Sequence, residues 1–216
     1  MNMDYNKFID HTLLKADATF AAIKQLCNQA QKYDFMSVCV HPSYVLTCHK
    51  LLIKSSVKVC TVIGFPLGSN TTATKLFETK DAIANGADEI DMVINISWLK
   101  AKQLHKCISE ISAIKKCCGK KTLKVIVETA LLSRTDKINA CKCVNEASAD
   151  FIKTSTGFAN GGANIQDIKL FKKYLKPNVK IKASGGIKTR AQMLAMIDAG
   201  ADRIGTSNGV SLMKIE

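Results

Sequence analysis

What most restricts the fold of this chain is a recurrence. Short apolar runs rich in β-branched residues alternate with stretches whose apolar residues follow a helical period, the pattern of βαβ units around a parallel sheet. Eight runs are present: KFIDHTLL near 7, FMSVCVH near 35, VKVCTVIGF near 57, EIDMVIN at 89, LKVIVETA at 123, FIKTSTG at 151, VKIKASGG at 179 and DRIGTS at 202. The helical stretches between them include Thr19 to Tyr33, Thr72 to Ala84, Ser97 to Cys118, Thr135 to Ala147, Ile165 to Leu175 and Thr189 to Ala199. Three segments share one device, NGADEID at 85, EASADFIK at 146 and DAGADRIG at 198, in which small residues and an acid lead straight into the next run. That repetition indicates equivalent units, and eight of them suggest closure. The expected fold is α/β, a single (β/α)8 TIM barrel. Such barrels usually take ~250 residues, so 216 imply short loops and a short C-terminal helix, Gly209 to Ile215. The main rival, an open doubly wound sheet, lacks its GxGxxG fingerprint after the first run.

Composition narrows the class. With 47% hydrophobic and 23% charged residues, one soluble domain over 1–216 with a sizeable core is expected. No window approaches the ~20 apolar residues of a membrane span, and the N-terminus carries Asp4 and Asp10 where a leader would be basic and then apolar,. An untagged cytoplasmic protein with no membrane partner is expected. Nine cysteines, an odd number without a CxxC pair, argue against a disulfide framework. Neither they nor His11, His41, His49 and His105 form a recognisable zinc set, so no metal is expected. The thiols read as small buried hydrophobes in a reducing compartment. The net charge of +13 fits nucleic acid, an anionic substrate or a lysine-rich surface. Its densest cluster, Lys115, Lys116, Lys120, Lys121 and Lys124, has no interleaved aromatic residue to stack on bases. It reads as a solvated helix end and turn, and no nucleic-acid partner is expected.

Three runs break the apolar pattern. In a barrel, alternate strand residues point inward and the C-terminal strand ends face the active site. EIDMVIN sets Asp91 opposite Ile90, Met92 and Ile94; FIKTSTG sets Lys153 opposite Ile152; VKIKASGG sets Lys182 opposite Ile181. One carboxylate and two lysines therefore point into the barrel. A satisfied buried ion pair would account for one lysine and the acid, but the second lysine leaves a charge unbalanced. A neighbouring ammonium and partial desolvation both favour a free amine near neutral pH, and a free amine attacks carbonyls. Which lysine would attack is left open by the spacing. Further along, SGG at 184–186 and GTSNG at 205–209 follow the last two runs, where many barrels bind phosphate through backbone amides. His11 and His41 each close a run and read as structural or as acid–base groups. Cys39 reads as core, and Gly161–Gly162 as a turn able to approach a ligand.

The segments IDHTLLKADAT, SVCVHP, IGFPLGSNTTATKLFET, GADEIDMVIN, VIVET, FIKTSTGF, KASGGIKT and RIGTSNG together resemble the deoxyribose-phosphate aldolase family, in order and over nearly the whole chain. The resemblance implies a class I, metal-independent and cofactor-free lyase of deoxynucleoside catabolism. It would reversibly cleave 2-deoxy-D-ribose 5-phosphate to D-glyceraldehyde 3-phosphate and acetaldehyde. It implies that Lys153 forms the Schiff base, that Lys182 lowers its pKa and that Asp91 takes part in proton transfer. Asp10 and Thr12 match family residues near the substrate hydroxyls. Thr156, Gly157, Ser184, Gly185, Gly186, Gly205 and Ser207 match the cleft and phosphate loops. Two departures stand out: Phe158 where some relatives carry a phosphate-touching lysine, and a sequence that stops at Glu216 without the tyrosine ending some relatives' tails, so no shuttling through such a tail is expected. The partners implied are a small phosphosugar and further copies of the chain, a dimer first. The alternatives are another class I phosphosugar aldolase on the same fold, a basic nucleic-acid-binding protein, whose binding would be strongly salt-dependent, or an inactive paralogue.

Overall fold

In the computed structural model, which describes residues 4–214, all eight runs are strands of one closed parallel barrel in chain order. They are β1 (Ile9–Leu13), β2 (Ser37–Val40), β3 (Lys58–Ile63), β4 (Glu89–Val93), β5 (Thr122–Ile126), β6 (Phe151–Lys153), β7 (Lys180–Ser184) and β8 (Arg203–Thr206). Closure comes from β1, which pairs with β2 on one side and β8 on the other, Asp10 opposite both Ser37 and Gly205.

The surrounding helices are α1 (Phe20–Lys32), α2 (Val45–Leu52), α3 (Thr72–Ala84), α4 (Ile96–Lys100), α5 (Leu104–Cys118), α6 (Arg134–Glu146), α7 (Ile165–Tyr174), α8 (Arg190–Asp198) and α9 (Gly209–Leu212). Side chains that accept hydrogen bonds from orphan amides start six of them: Thr19, Thr71, Asn95, Ser133, Asn164 and Thr189,. Two expectations need correction. Helix α2 was not foreseen, because eight residues between Tyr44 and Ile53 give only two turns of pattern; Val45, Cys48 and Leu52 face inward. The single helix expected over Ser97 to Cys118 is two, broken where Lys102 takes φ 58. No Gly or Pro marks that break. The last helix ends at Leu212, and Ile215 lies outside the described residues.

The main core lies between the strands' outer faces and the helices, where Ile90, Met92, Ile94, Ile152 and Ile181 meet Ile111, Ile114, Ile168 and Phe171. Each such fully buried side chain is worth about 1.5–3 kcal/mol of transfer free energy. The barrel interior is different. Its only apolar cluster among the described residues is small, Leu14, Cys39, Cys60 and Val62 with Phe65 against it. Many of the other inward positions are charged.

The repeated acids of the sequence have one shared task. Asp88, Asp150 and Asp202 stand just before β4, β6 and β8, and each carboxylate accepts the backbone N–H of the preceding strand: Val59 at 3.0 Å, Leu123 at 2.7 Å and Ile181 at 2.8 Å. A left-handed residue two positions earlier, Gly86, Ser148 or Gly200, makes each turn.

Candidate active site

Register decides what the barrel interior can do. Lys153 and Lys182 are direct partners across β6 and β7, and Asp91 faces Lys124 across β4 and β5. The two lysines thus stand at one height, which the sequence could not measure. Both donate to the same oxygen, Asp91 Oδ2, at 2.8 Å each. The other oxygen, Oδ1, accepts from Lys124 Nζ at 2.8 Å and lies 3.1 Å from Cys60 Sγ.

Lys124 is the main correction. Grouped by sequence with a solvated lysine cluster, it is fully buried inside the barrel, 2.6 Å from Glu89 and 3.8 Å from Asp10. Its former companions Lys115 and Lys121 do lie outside, paired with Asp150 and Asp88. The signal was present, since Leu123 and Val125 flank Lys124 as Ile90 and Met92 flank Asp91. Arg203 and Glu89 were missed as well. Arg203 lies 2.5 Å from Asp10 and 3.3 Å from Glu89.

The network thus sets four cations, Lys124, Lys153, Lys182 and Arg203, against three carboxylates, Asp10, Glu89 and Asp91. Burial would raise the pKa of Asp91, but Lys124, Lys153 and Lys182 outweigh it and hold the carboxyl well below its usual range. Asp10 is likewise lowered, burial being outweighed by Arg203, Lys182 and Lys124. For Lys182 burial opposes the charge, but Asp10, at 2.5 Å and off the hydrogen-bond direction, and Asp91 raise its pKa above the ordinary lysine value. Lys124 is raised in the same sense: burial is outweighed by Asp91 and its other anionic neighbours. Lys153 differs in having one carboxylate contact, Asp91, and in lining a cavity.

That cavity, about 550 Å³, opens at the C-terminal ends of β1, β6, β7 and β8. Of the residues singled out from sequence, Thr12, Lys153, Thr156, Gly157, Ser184, Gly185, Gly186, Gly205 and Ser207 line it. Asp91, Lys182 and Asp10 do not; they lie beneath, fully buried, with Asp10 accepting from Ser37 Oγ at 2.6 Å. Gly185 and Gly186 take φ 88 and 78, and no intramolecular hydrogen bond among the described residues uses their amides or that of Ser207. A Cβ on Gly205 would come within 3.0 Å of Lys182 Cε. Lys15 and Lys188 add two cations to the wall, while Phe158 packs edge-on against Phe65 at the mouth, 5.2 Å between centroids. The pocket thus offers backbone amides unpaired among the described residues and two cations at one end, a setting able to take an anion, and a lysine amine at the other,.

His11 and His41 both hydrogen-bond within the fold. His11 bonds Gln29 at 2.9 Å, and burial lowers its pKa; His41 bonds the Leu14 carbonyl at 2.9 Å. Cys39 is buried as expected, but it faces Cys60 and Asp91 inside the barrel, their donor atoms within 4.8 Å of one another. That trio suits a metal cation poorly, because lysine ammoniums already occupy both Asp91 oxygens,. No helix among the described residues is long and apolar enough to cross a membrane.

Residues 6–214 match the DeoC/LacD family aldolase model. A deoxyribose-phosphate aldolase from Brevibacillus brevis is 54% identical over 211 residues, covering 98% of this chain and 96% of that one. Among solved structures, a putative deoxyribose-phosphate aldolase from Coccidioides immitis superposes with a TM-score of 0.94 at 40% identity, covering 96% of this chain and 83% of its own. A deoxyribose phosphate aldolase from Aeropyrum pernix, described as a unique tetramer, gives 0.90 at 33% identity, covering 96% and 88%.

Proposed function

Because the chain belongs to the DeoC/LacD aldolase family, we propose that it is a class I aldolase that reversibly cleaves 2-deoxy-D-ribose 5-phosphate to D-glyceraldehyde 3-phosphate and acetaldehyde, in deoxyribose catabolism. The observation that carries this reading is the position of one amine. Lys153 Nζ belongs to a network with one more cation than carboxylate, and of that network's cations it alone lines the cavity.

In this mechanism Lys153 attacks the C1 aldehyde of the open-chain sugar, and loss of water gives an iminium. The C2–C3 bond then breaks, its electron pair passing to the iminium to form an enamine, while the C3 hydroxyl loses its proton and becomes the aldehyde of glyceraldehyde 3-phosphate. Protonation at C2 and hydrolysis release acetaldehyde and restore the amine. Lys182, kept charged by Asp10 and Asp91, shares Asp91 Oδ2 with Lys153 and is the like charge that opposes a second ammonium there,. Asp91 touches both nitrogens and relays protons between them. The amides of Gly185, Gly186 and Ser207 hold the phosphate, helped by Lys15 and Lys188. Residues 1–216 act as one catalytic domain. A homo-oligomer fits the tetrameric relative, with a dimer as its simplest symmetric form, and a cytoplasmic setting suits nine free thiols,.

The test is release of acetaldehyde from 2-deoxyribose 5-phosphate, compared with unphosphorylated deoxyribose, in the presence of a chelator. The phosphorylated sugar should be cleaved far faster and the chelator should change nothing. No acetaldehyde from saturating 5-phosphate would overturn the assignment.

A further inference from the structure

Glu128 lies outside the ion-pair network and off the cavity wall, yet its geometry is demanding. It follows β5, is buried, and holds φ 55. For a residue with a Cβ this left-handed conformation is strained, and such strain persists where surrounding contacts over-determine it. Those contacts converge on one atom. Oε2 accepts the backbone N–H of Thr156 at 3.1 Å and also the Thr156 hydroxyl, whereas Oε1 is buried with no hydrogen-bond partner. Thr156 is the only hydrogen-bond partner of this buried carboxylate among the described residues.

Thr156 lines the cavity. A hydroxyl has one proton and two lone pairs. The proton of Thr156 goes to Glu128, and one lone pair takes the N–H of Phe158 at 3.0 Å. What remains for the cavity is a lone pair, so Thr156 can accept there but cannot donate. We propose that Glu128 is a positioning residue that fixes Thr156 as a hydrogen-bond acceptor, so that the site selects a hydroxyl donor on the phosphosugar. The inference rests on the aldolase reading above. Without Glu128 the Thr156 oxygen still accepts from Phe158, but its proton is free to turn into the cavity, and the discrimination is lost,.

The test separates a step that involves a substrate hydroxyl from one that does not. Exchange of acetaldehyde methyl protons in D2O passes through iminium and enamine alone, whereas cleavage of 2-deoxyribose 5-phosphate requires the hydroxyl-bearing sugar. Glu128→Met, unbranched and of similar length, should lower kcat/KM for cleavage by about tenfold or more while exchange stays within about twofold of wild type. Glu128→Gln still offers an oxygen to Thr156 and should stay within about threefold of wild type in cleavage. Thr156→Val should lose as much cleavage as Glu128→Met, and the double variant no more than either, because the two residues act as a unit. Equal falls of exchange and cleavage in Glu128→Met would reduce Glu128 to scaffold, and undiminished cleavage would remove its role. Should Glu128→Met fail to fold, Glu128→Gln as impaired as Thr156→Val overturns the proposal. Wild-type protein that neither exchanges nor cleaves would sink the aldolase reading itself, and the proposal with it, a result distinct from any difference between variants.

Discussion

At the scale of residues, the site is a matter of which cation is held least firmly. Lys124, Lys182 and Arg203 each face two or more carboxylates, whereas Lys153 has Asp91 alone. Removing the charge of Lys182 takes away the ammonium that shares Asp91 Oδ2 with Lys153 and leaves only Lys124, on the other oxygen, so a charge on Lys153 is opposed by one neighbour fewer,. Lys182→Leu should therefore slow cleavage by about two orders of magnitude and move the acid limb of the pH–rate profile to higher pH. An unchanged profile with near-normal turnover would take Lys182 out of the mechanism. Asp91, Lys153 and Lys182 were legible because each interrupts an apolar alternation. Lys124 does the same between Leu123 and Val125, but its neighbours Lys120 and Lys121 masked it as surface charge. Glu128 was not legible at all: its importance lies in a backbone angle and in a contact to a residue 28 positions away.

At the scale of elements, the eight strands could be read because short apolar, β-branched runs recur between helical stretches; six of them also carry a buried charge toward the axis, whereas β2 and β3 present Ser37, Cys39, Cys60 and Val62 there. Helix α2 and the break at Lys102 were hidden for the converse reason, a pattern too short in one case and an unmarked left-handed residue in the other. The aspartates before β4, β6 and β8 were seen as a repeat, though their role emerged only from the hydrogen bonds they accept. Asp202→Ala removes the acceptor of the Ile181 amide at the N-terminal end of the barrel, opposite the cavity. Denaturant unfolding should register a loss of about 1–2 kcal/mol, while kcat/KM stays near that of wild type. A catalytic defect without a stability change would contradict this division between the two ends.

At the scale of the whole molecule, a barrel with an ionic interior ties stability to pH. Asp10 and Asp91 both titrate below their ordinary value of 3.8 in the folded state. For groups lowered by folding, the stabilisation is fully present above the unfolded pKa and is lost as pH falls below it, because the unfolded chain takes up protons the folded one refuses. The unfolding free energy should thus fall below about pH 4, by up to about 1.4 kcal/mol per pH unit for each of the two carboxylates. Denaturant titrations at stepped pH check this, and stability that is flat from about pH 4 to 2.5 would contradict it. The account as a whole depends on one covalent bond. Borohydride added to the protein with acetaldehyde should reduce an imine and leave a single two-carbon adduct, located by peptide mass spectrometry on Lys153, with cleavage activity lost in proportion to labelling. An adduct on Lys182 or Lys124 instead, or full turnover with no adduct formed, would contradict it.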